Sequence, residues 1–171
     1  MTLRCVRLML VMGAMLLVAC GGGSDEPEDD GPTRQSYIAE VDALCRRVTL
    51  DSRERNRELQ ALVDGSGSFA GRLRKGAPLL SETYDVQKAK LDRFKRIEPP
   101  ADDRAQISRV TTAAEATLMQ LRDAVSIAQR GDLKSFIDVI FDATGARAKV
   151  ERLGTTYGFR ADCFSVPIDL Q

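Results

Sequence analysis

Cysteine is the residue type with the widest chemical repertoire in this chain, because its 171 residues include four cysteines and no histidine. Without histidine, the sequence excludes Ser-His and Cys-His nucleophile pairs and the histidine-containing zinc and di-iron motifs. A thiol can be acylated, form a disulfide or bind a metal. Cys5 lies in an apolar leader, so the cysteines whose chemistry must be assigned are Cys20, Cys45 and Cys163.

The residues before Cys20 have the three parts of a secretory signal. Arg4 and Arg7 form a basic start, and Leu8 to Ala19 carry no charge. As a helix this uncharged run would span only about 18 Å, whereas the hydrocarbon core of a bilayer is ~30 Å thick. The leader therefore predicts export and does not predict a permanent membrane span.

Leu17-Val18-Ala19-Cys20 resembles the lipobox of bacterial lipoproteins. The resemblance implies that residues 1–19 are a cleaved signal peptide, that the Cys20 thiol receives diacylglycerol, and that the new amino group takes an acyl chain such as palmitate. It implies a lipid-anchored protein at the cell membrane that faces out of the cytoplasm, either extracellular or periplasmic. Two or more acyl chains give stable attachment, since each buried CH₂ contributes about 0.8 kcal/mol. The alternative is an ordinary secretory signal with an incidental cysteine.

Cys45 and Cys163 are the two thiols that remain for the exported domain. A pair of cysteines in an oxidising compartment typically forms a disulfide, which here would join the first helix to the C-terminal segment. The alternative is two buried free cysteines. A zinc site has little support, because two thiolates do not complete a tetrahedral shell. We expect no metal and no other cofactor.

Composition divides the exported chain into a tether and one folded domain. Residues 20–32 combine the lipidated cysteine with glycine, proline and acidic residues that have too little apolar surface to fold, which predicts a flexible acidic tether. Residues 33–171 contain no tryptophan and few aromatics, a composition that favours helices. With 25 basic and 25 acidic residues, the chain has no excess of positive charge, so we expect no nucleic-acid partner.

Apolar residues recur at helical three–four spacing in four segments of residues 33–171. The predicted helices are 33–63, 69–97, 102–130 and 133–157. Thr33, Asp102 and Asp132 are predicted N-caps, Gly158 is a predicted left-handed C-terminal residue, and Pro78 either kinks the second helix or begins it. Short connections make antiparallel neighbours, so we predict an all-α fold, an antiparallel four-helix bundle in up-down-up-down order.

The C-terminal motif Tyr157-Gly158-Phe159, with Cys163 four residues later, is similar to the ending of small secreted or lipidated proteins, mainly actinobacterial. These proteins pair such a cysteine with one early in the first helix, here Cys45. They are uncharacterised. The resemblance therefore implies a helical bundle and a disulfide, and it implies no activity.

One polar stretch interrupts the inner face of the first helix, at Ser52 and Arg55. A buried arginine can bind a carboxylate or phosphate through two hydrogen bonds, so we treat Ser52 and Arg55, with Tyr84 of the second helix, as candidate ligand contacts. The alternative is that Arg55 reaches water or a neighbouring acid. Glu115 and Asp123 fall beside the apolar seam of the third helix, which indicates a solvated face and not a two-carboxylate glycosidase site.

These features favour a non-enzymatic role. The first hypothesis is a membrane-anchored envelope lipoprotein whose disulfide-braced bundle acts as a binding or interaction module for an unidentified envelope partner. The alternative is a small-ligand carrier with a cavity in the bundle core among Ser52, Arg55 and Tyr84. An envelope hydrolase is the third hypothesis, and no catalytic constellation in the sequence supports it.

Overall fold

The computed structural model describes residues 31–164, apart from the side chains of residues 50–53, 56 and 63. The predicted signal peptide, Cys20, most of the tether and residues 165–171 lie outside this range. Within it the fold is all-helical and contains no strand. The α-helices are α1 (Arg34–Val63), α2 (Phe69–Phe94), α3 (Arg104–Arg130) and α4 (Leu133–Tyr157), and short 3₁₀ helices span Ala101–Asp103 and Ala161–Cys163.

Side-chain oxygens fix the starts of α1 and α4. The Thr33 hydroxyl accepts a hydrogen bond from the backbone N–H of Ser36, at 3.2 Å. Asp132 Oδ1 accepts from the backbone N–H of Ser135, also at 3.2 Å. Each contact satisfies a first-turn N–H that has no partner inside the helix. The predicted N-caps at Thr33 and Asp132 are therefore confirmed.

The second helix begins where it was predicted to begin but ends three residues earlier than predicted. It begins at Phe69, so the alternative that Pro78 begins it is wrong; Pro78 lies inside α2, at an exposed position. There water can satisfy the carbonyl that proline leaves without a donor. The α-helix ends at Phe94 and not at Ile97, because the Ile97 N–H donates to the Phe94 carbonyl in a tighter turn, at 3.2 Å.

The predicted cap of α3 at Asp102 is wrong. Residues Ala101–Asp103 form a 3₁₀ helix, and α3 begins at Arg104. Asp103 occupies the cap position but makes no side-chain cap hydrogen bond. Its carboxylate instead accepts a hydrogen bond from the Tyr157 hydroxyl at 2.7 Å, a tertiary contact that helix-capping rules do not include.

Helices that follow one another in sequence pack against each other, α1 on α2, α2 on α3 and α3 on α4. Their buried apolar side chains form two clusters. The first draws on the start of α1, the end of α2, the start of α3 and the end of α4, and includes Tyr37, Val41, Leu91, Phe94, Ile107, Val110, Val150 and Tyr157. The second cluster includes Leu73, Ala77, Leu80, Ala124, Val125, Ala128 and Phe136.

Aromatic rings make up much of the first cluster. The Tyr157 and Phe159 ring centroids are 4.8 Å apart, and Phe94 meets Phe164 edge-on at 5.5 Å. Tyr37 of α1 contacts three of these rings and is 1% exposed. Such tilted and edge-on pairs add to the free energy gained from burial alone.

Gly158 lets the chain turn back into this cluster after α4. Its φ of 120° lies in the region that L side chains rarely adopt, as predicted for a residue that ends a helix. A Cβ at this position would also lie 3.0 Å from Ile38 Cδ1. The turn therefore depends on glycine for both its backbone conformation and its space.

Cys45 and Cys163, the two cysteines paired in the sequence analysis, come together in the first cluster. Their sulfur atoms lie at disulfide distance, with the Cα atoms 4.9 Å apart, and both residues are buried. The pair joins α1 to the 3₁₀ helix that follows α4. It closes a loop of 118 residues.

We predict that replacing both cysteines, Cys45→Ser with Cys163→Ser, lowers the free energy of unfolding by about 2–5 kcal/mol, because a long loop in the unfolded chain is released. Urea unfolding with and without reductant measures this. Reductant should destabilise the unsubstituted protein and leave the double variant unchanged. Alkylation at both Cys45 and Cys163 in the unfolded, unreduced protein would contradict the pairing.

Candidate functional site

The structure describes the side chains of four of the six predicted site residues, and two of these, Cys45 and Cys163, are the paired cysteines of the core. Cys20 lies outside the described residues. Ser52 belongs to α1, but its side chain is outside the description. Arg55 and Tyr84 can therefore be placed, and they lie on different helices, α1 and α2.

Arg55 is half-buried on α1. Its Nη2 atom is buried and has no hydrogen-bond partner among the residues that the structure describes. A guanidinium N–H without a partner is unfavourable away from water. Arg55 therefore keeps a donor that an anionic group could satisfy; the side chain of Asp51, the acid one turn earlier, is outside the description.

Tyr84 lines an open groove between α2 and α3. The groove has a volume of about 280 Å³, and its other walls are Glu115, Leu118, Met119 and Arg122. Met119 is 57% exposed at its edge. Arg55 is not among the lining residues. The structure thus shows that Tyr84 lines a surface groove between α2 and α3.

Charges of both signs border this groove. Glu115 accepts a hydrogen bond from Lys95 Nζ at 2.7 Å, and this contact raises the pKa of Lys95. Arg122 lies 3.9 Å from Asp123. Exposed pairs of this kind contribute little to stability. The side chain of Met119 beside them is flexible and apolar.

Sequence reasoning missed a second polar site, which lies inside the core at Lys90. This residue is 8% exposed, and its Nζ donates a hydrogen bond to the backbone carbonyl of Cys163 at 2.7 Å. Gln87 and Thr117 line the same cavity, which has a volume of about 30 Å³. That space is enough for one or two water molecules. The cavity is therefore a hydrated point of the core and not a ligand pocket.

A signal for this site exists in the sequence. Thr83, Gln87 and Lys90 continue the three–four spacing of the α2 seam between Leu80 and Phe94, and all three are buried. The residue types alone indicate the opposite, because lysine and glutamine are mostly exposed in proteins. The unbroken spacing was the stronger indicator.

Burial lowers the pKa of Lys90 to about 8, although the negative charge of Asp162 acts in the opposite direction. Desolvation disfavours the charged form of an amine, which explains the direction. The Nζ atom also lies 6.0 Å from the centroid of the Phe164 ring. The amine therefore fastens the C-terminal turn, through Cys163, to α2.

A second polar contact fastens the start of α1. An Arg34 Nη donates to the Tyr157 carbonyl at 2.8 Å, and the guanidinium lies 4.4 Å from the centroid of the Tyr157 ring. Burial, and then the hydrogen bond to Asp103, raise the pKa of the Tyr157 hydroxyl. Burial likewise raises the pKa of Tyr37 to about 12, with Glu40 as a smaller cause. Arg34, Tyr37 and Tyr157 thus make structural contacts between the start of α1 and the end of α4.

Two further properties of the described residues, and the comparisons with known proteins, complete the description of the site. No cluster of three or more His, Cys, Asp or Glu suited to a metal occurs among residues 31–164. In the same part of the chain, no helix is both long enough and apolar enough to cross a membrane. Searches of protein-family models, curated proteins and solved structures found no match.

We predict that the free energy of unfolding rises as the pH increases from about 8 toward 10, and that Lys90→Met removes this rise. In that window the folded protein has released the Lys90 proton while the unfolded chain still holds it, so higher pH favours folding, by up to about 1.4 kcal/mol per pH unit. Urea titrations at each pH measure the slope.

Lys88→Met is the matched control, because Lys88 is exposed on the same helix and its hydrogen bond to Asp92 raises its pKa. This variant should keep the slope. Above pH 10 the raised pKa of Tyr37 acts with opposite sign, so the comparison stops there. Equal slopes in all three proteins would contradict the effect of Lys90.

Proposed function

We propose that this chain is an envelope lipoprotein, anchored to a membrane by acyl groups on Cys20, whose helical domain binds another envelope protein outside the cytoplasm. The anchor is supported by the lipobox resemblance and by the short uncharged leader. The start of α1 at Arg34, capped by Thr33, agrees with a spacer over residues 20–32 and a folded domain that begins directly after it.

We also propose that the helices form an antiparallel four-helix bundle in up-down-up-down order. The connections between consecutive helices are short, and consecutive helices are in contact. The first core cluster supports this order, because it combines the starts of α1 and α3 with the ends of α2 and α4. The tether would then leave the domain at the end that holds the disulfide.

The observation that carries the binding role is the groove of Tyr84, Met119 and Arg122. It combines an exposed methionine, an aromatic ring and charges of both signs in an open space of about 280 Å³. Surfaces of this composition accept an amphipathic helix or extended segment of a partner. A protein partner, and not a small molecule, is therefore the occupant that the groove fits best.

Carriage of a small ligand in the core is the second candidate, and the unpartnered Nη2 of Arg55 is the observation in its favour. The cavities described between the helices have volumes of about 30 Å³ at Lys90 and about 60 Å³ between α3 and α4. Spaces of that size hold water and not a metabolite. Binding at the surface groove thus has the stronger support.

We predict that Cys20→Ala abolishes labelling by a fatty-acid probe and moves the protein from the membrane fraction to the soluble fraction, because no other residue would carry the acyl chains. Cys5→Ala is the matched control, since Cys5 belongs to the leader and should not affect either result. Retained label and retained membrane association in Cys20→Ala would refute the anchor.

We predict that a photoreactive residue at position 119 crosslinks one discrete protein partner in intact cells, because Met119 lies exposed at the edge of the groove. The same residue at position 126, which is exposed on α3 but does not line the groove, is the control. Arg122→Glu should remove the adduct by reversing a charge of the groove. Identical adducts from both positions, or none from position 119, would contradict the proposed binding surface.

A further inference from the structure

The outer face of α4 has the most exposed aromatic side chain among the described residues. Phe141 is 74% exposed and Ile137, one turn earlier, is 42% exposed. Gly145 and Ala148 follow on the same face at helical spacing and are exposed as well. This face, defined as Ile137, Phe141, Gly145 and Ala148, is separate from the groove of Tyr84 and Met119.

Large and small residues are segregated along this α4 face. Ile137 and Phe141 occupy its first half, whereas Gly145 and Ala148 occupy its second half. A Cβ built at Gly145 would meet nothing within 4 Å, so the space above the second half is open. An antiparallel copy of α4 would place its Phe141 over this small half, and the reverse contact would form at the same time. The shape is thus complementary to itself under a two-fold axis.

The charged residues beside the α4 face also differ between its two halves. Asp138 and Asp142 flank the first half of the face, and Lys149 and Arg152 flank the second half, all of them exposed. Asp138 already pairs with Lys134 at 3.0 Å, but Asp142 and Lys149 make no ion pair within residues 31–164. In an antiparallel pairing Asp142 of each copy faces Lys149 of the other. A parallel pairing would instead set like charges against each other.

We infer that the chain forms a homodimer through this face, with two antiparallel α4 helices related by a two-fold axis. Each Phe141 packs over Gly145 and Ala148 of the other copy, and Asp142 pairs with Lys149 twice. The two acidic residues beside Phe141 disfavour an anionic bilayer surface as the occupant. The dimer depends neither on acylation of Cys20 nor on the groove between α2 and α3.

The test is sedimentation velocity of the full chain in a neutral detergent, which gives the dimer dissociation constant. Phe141→Ala should weaken the dimer at least about tenfold, as expected for a central aromatic contact. Asp142→Lys alone and Lys149→Asp alone should each weaken it by at least about tenfold, because each sets like charges across the interface. An equimolar mixture of these two variants should restore dimerisation to within about threefold, since opposite charges then face each other again.

The mixture distinguishes the loss of an interface contact from misfolding, because two misfolded variants would not regain dimerisation when they are mixed. Met119→Ala is the control at another exposed apolar residue, and it should leave the dissociation constant unchanged. The inference is overturned if the unsubstituted chain stays monomeric, if Phe141→Ala has no effect, or if the mixture stays monomeric. It is also overturned in favour of a membrane surface if the chain is monomeric and Phe141→Ala abolishes its binding to phosphatidylglycerol vesicles.

Discussion

The connection between α1 and the turn after α4 is the constraint on which the rest of this structure depends. It combines the Cys45–Cys163 pair with the packing of Phe159 against Tyr37 and of Phe164 against Phe159. Each aromatic ring of this kind buries about 150–250 Å². Because these residues lie near the two ends of the described chain, the contact fixes the first and last helices while α2 and α3 fill the space between them. The end of the molecule nearest the proposed anchor is therefore its most constrained part.

Lys90 supplies a buried hydrogen bond to the turn after α4, which is one side of this connection. A buried amine is unfavourable in its charged form, yet Lys90 gives the Cys163 carbonyl a hydrogen-bond donor that a methionine would not supply. The 3₁₀ helix that holds Cys163 cannot satisfy all its carbonyls internally because it spans only three residues. Lys90 thus stabilises the C-terminal turn from within α2.

Local interactions made much of this fold predictable. Thr33, Asp132 and Gly158 were assigned correctly because a cap depends on residues within one turn. The start of α3 was wrong because Asp103 is engaged by Tyr157, 54 residues away in the chain. The spacing of Lys90 indicates a buried position, but the partner of its amine, a carbonyl 73 residues distant, cannot be read from the local sequence. Interactions between residues far apart in sequence leave no local pattern.

The candidate surfaces likewise depend on contacts between helices that the local sequence does not reveal. The helical spacing of Tyr84 does not reveal that this residue lines a groove with α3. The exposure of Phe141 has no signal in the sequence either, because an apolar residue on a helix is usually buried. Yet no residue from 137 to 149 of α4 is buried, whereas buried residues recur from Ile107 to Ala128 of α3. The middle of α4 leaves the side chains of Ile137 and Phe141 exposed to water. Covering them with another copy of the same helix would remove apolar surface from both chains at once.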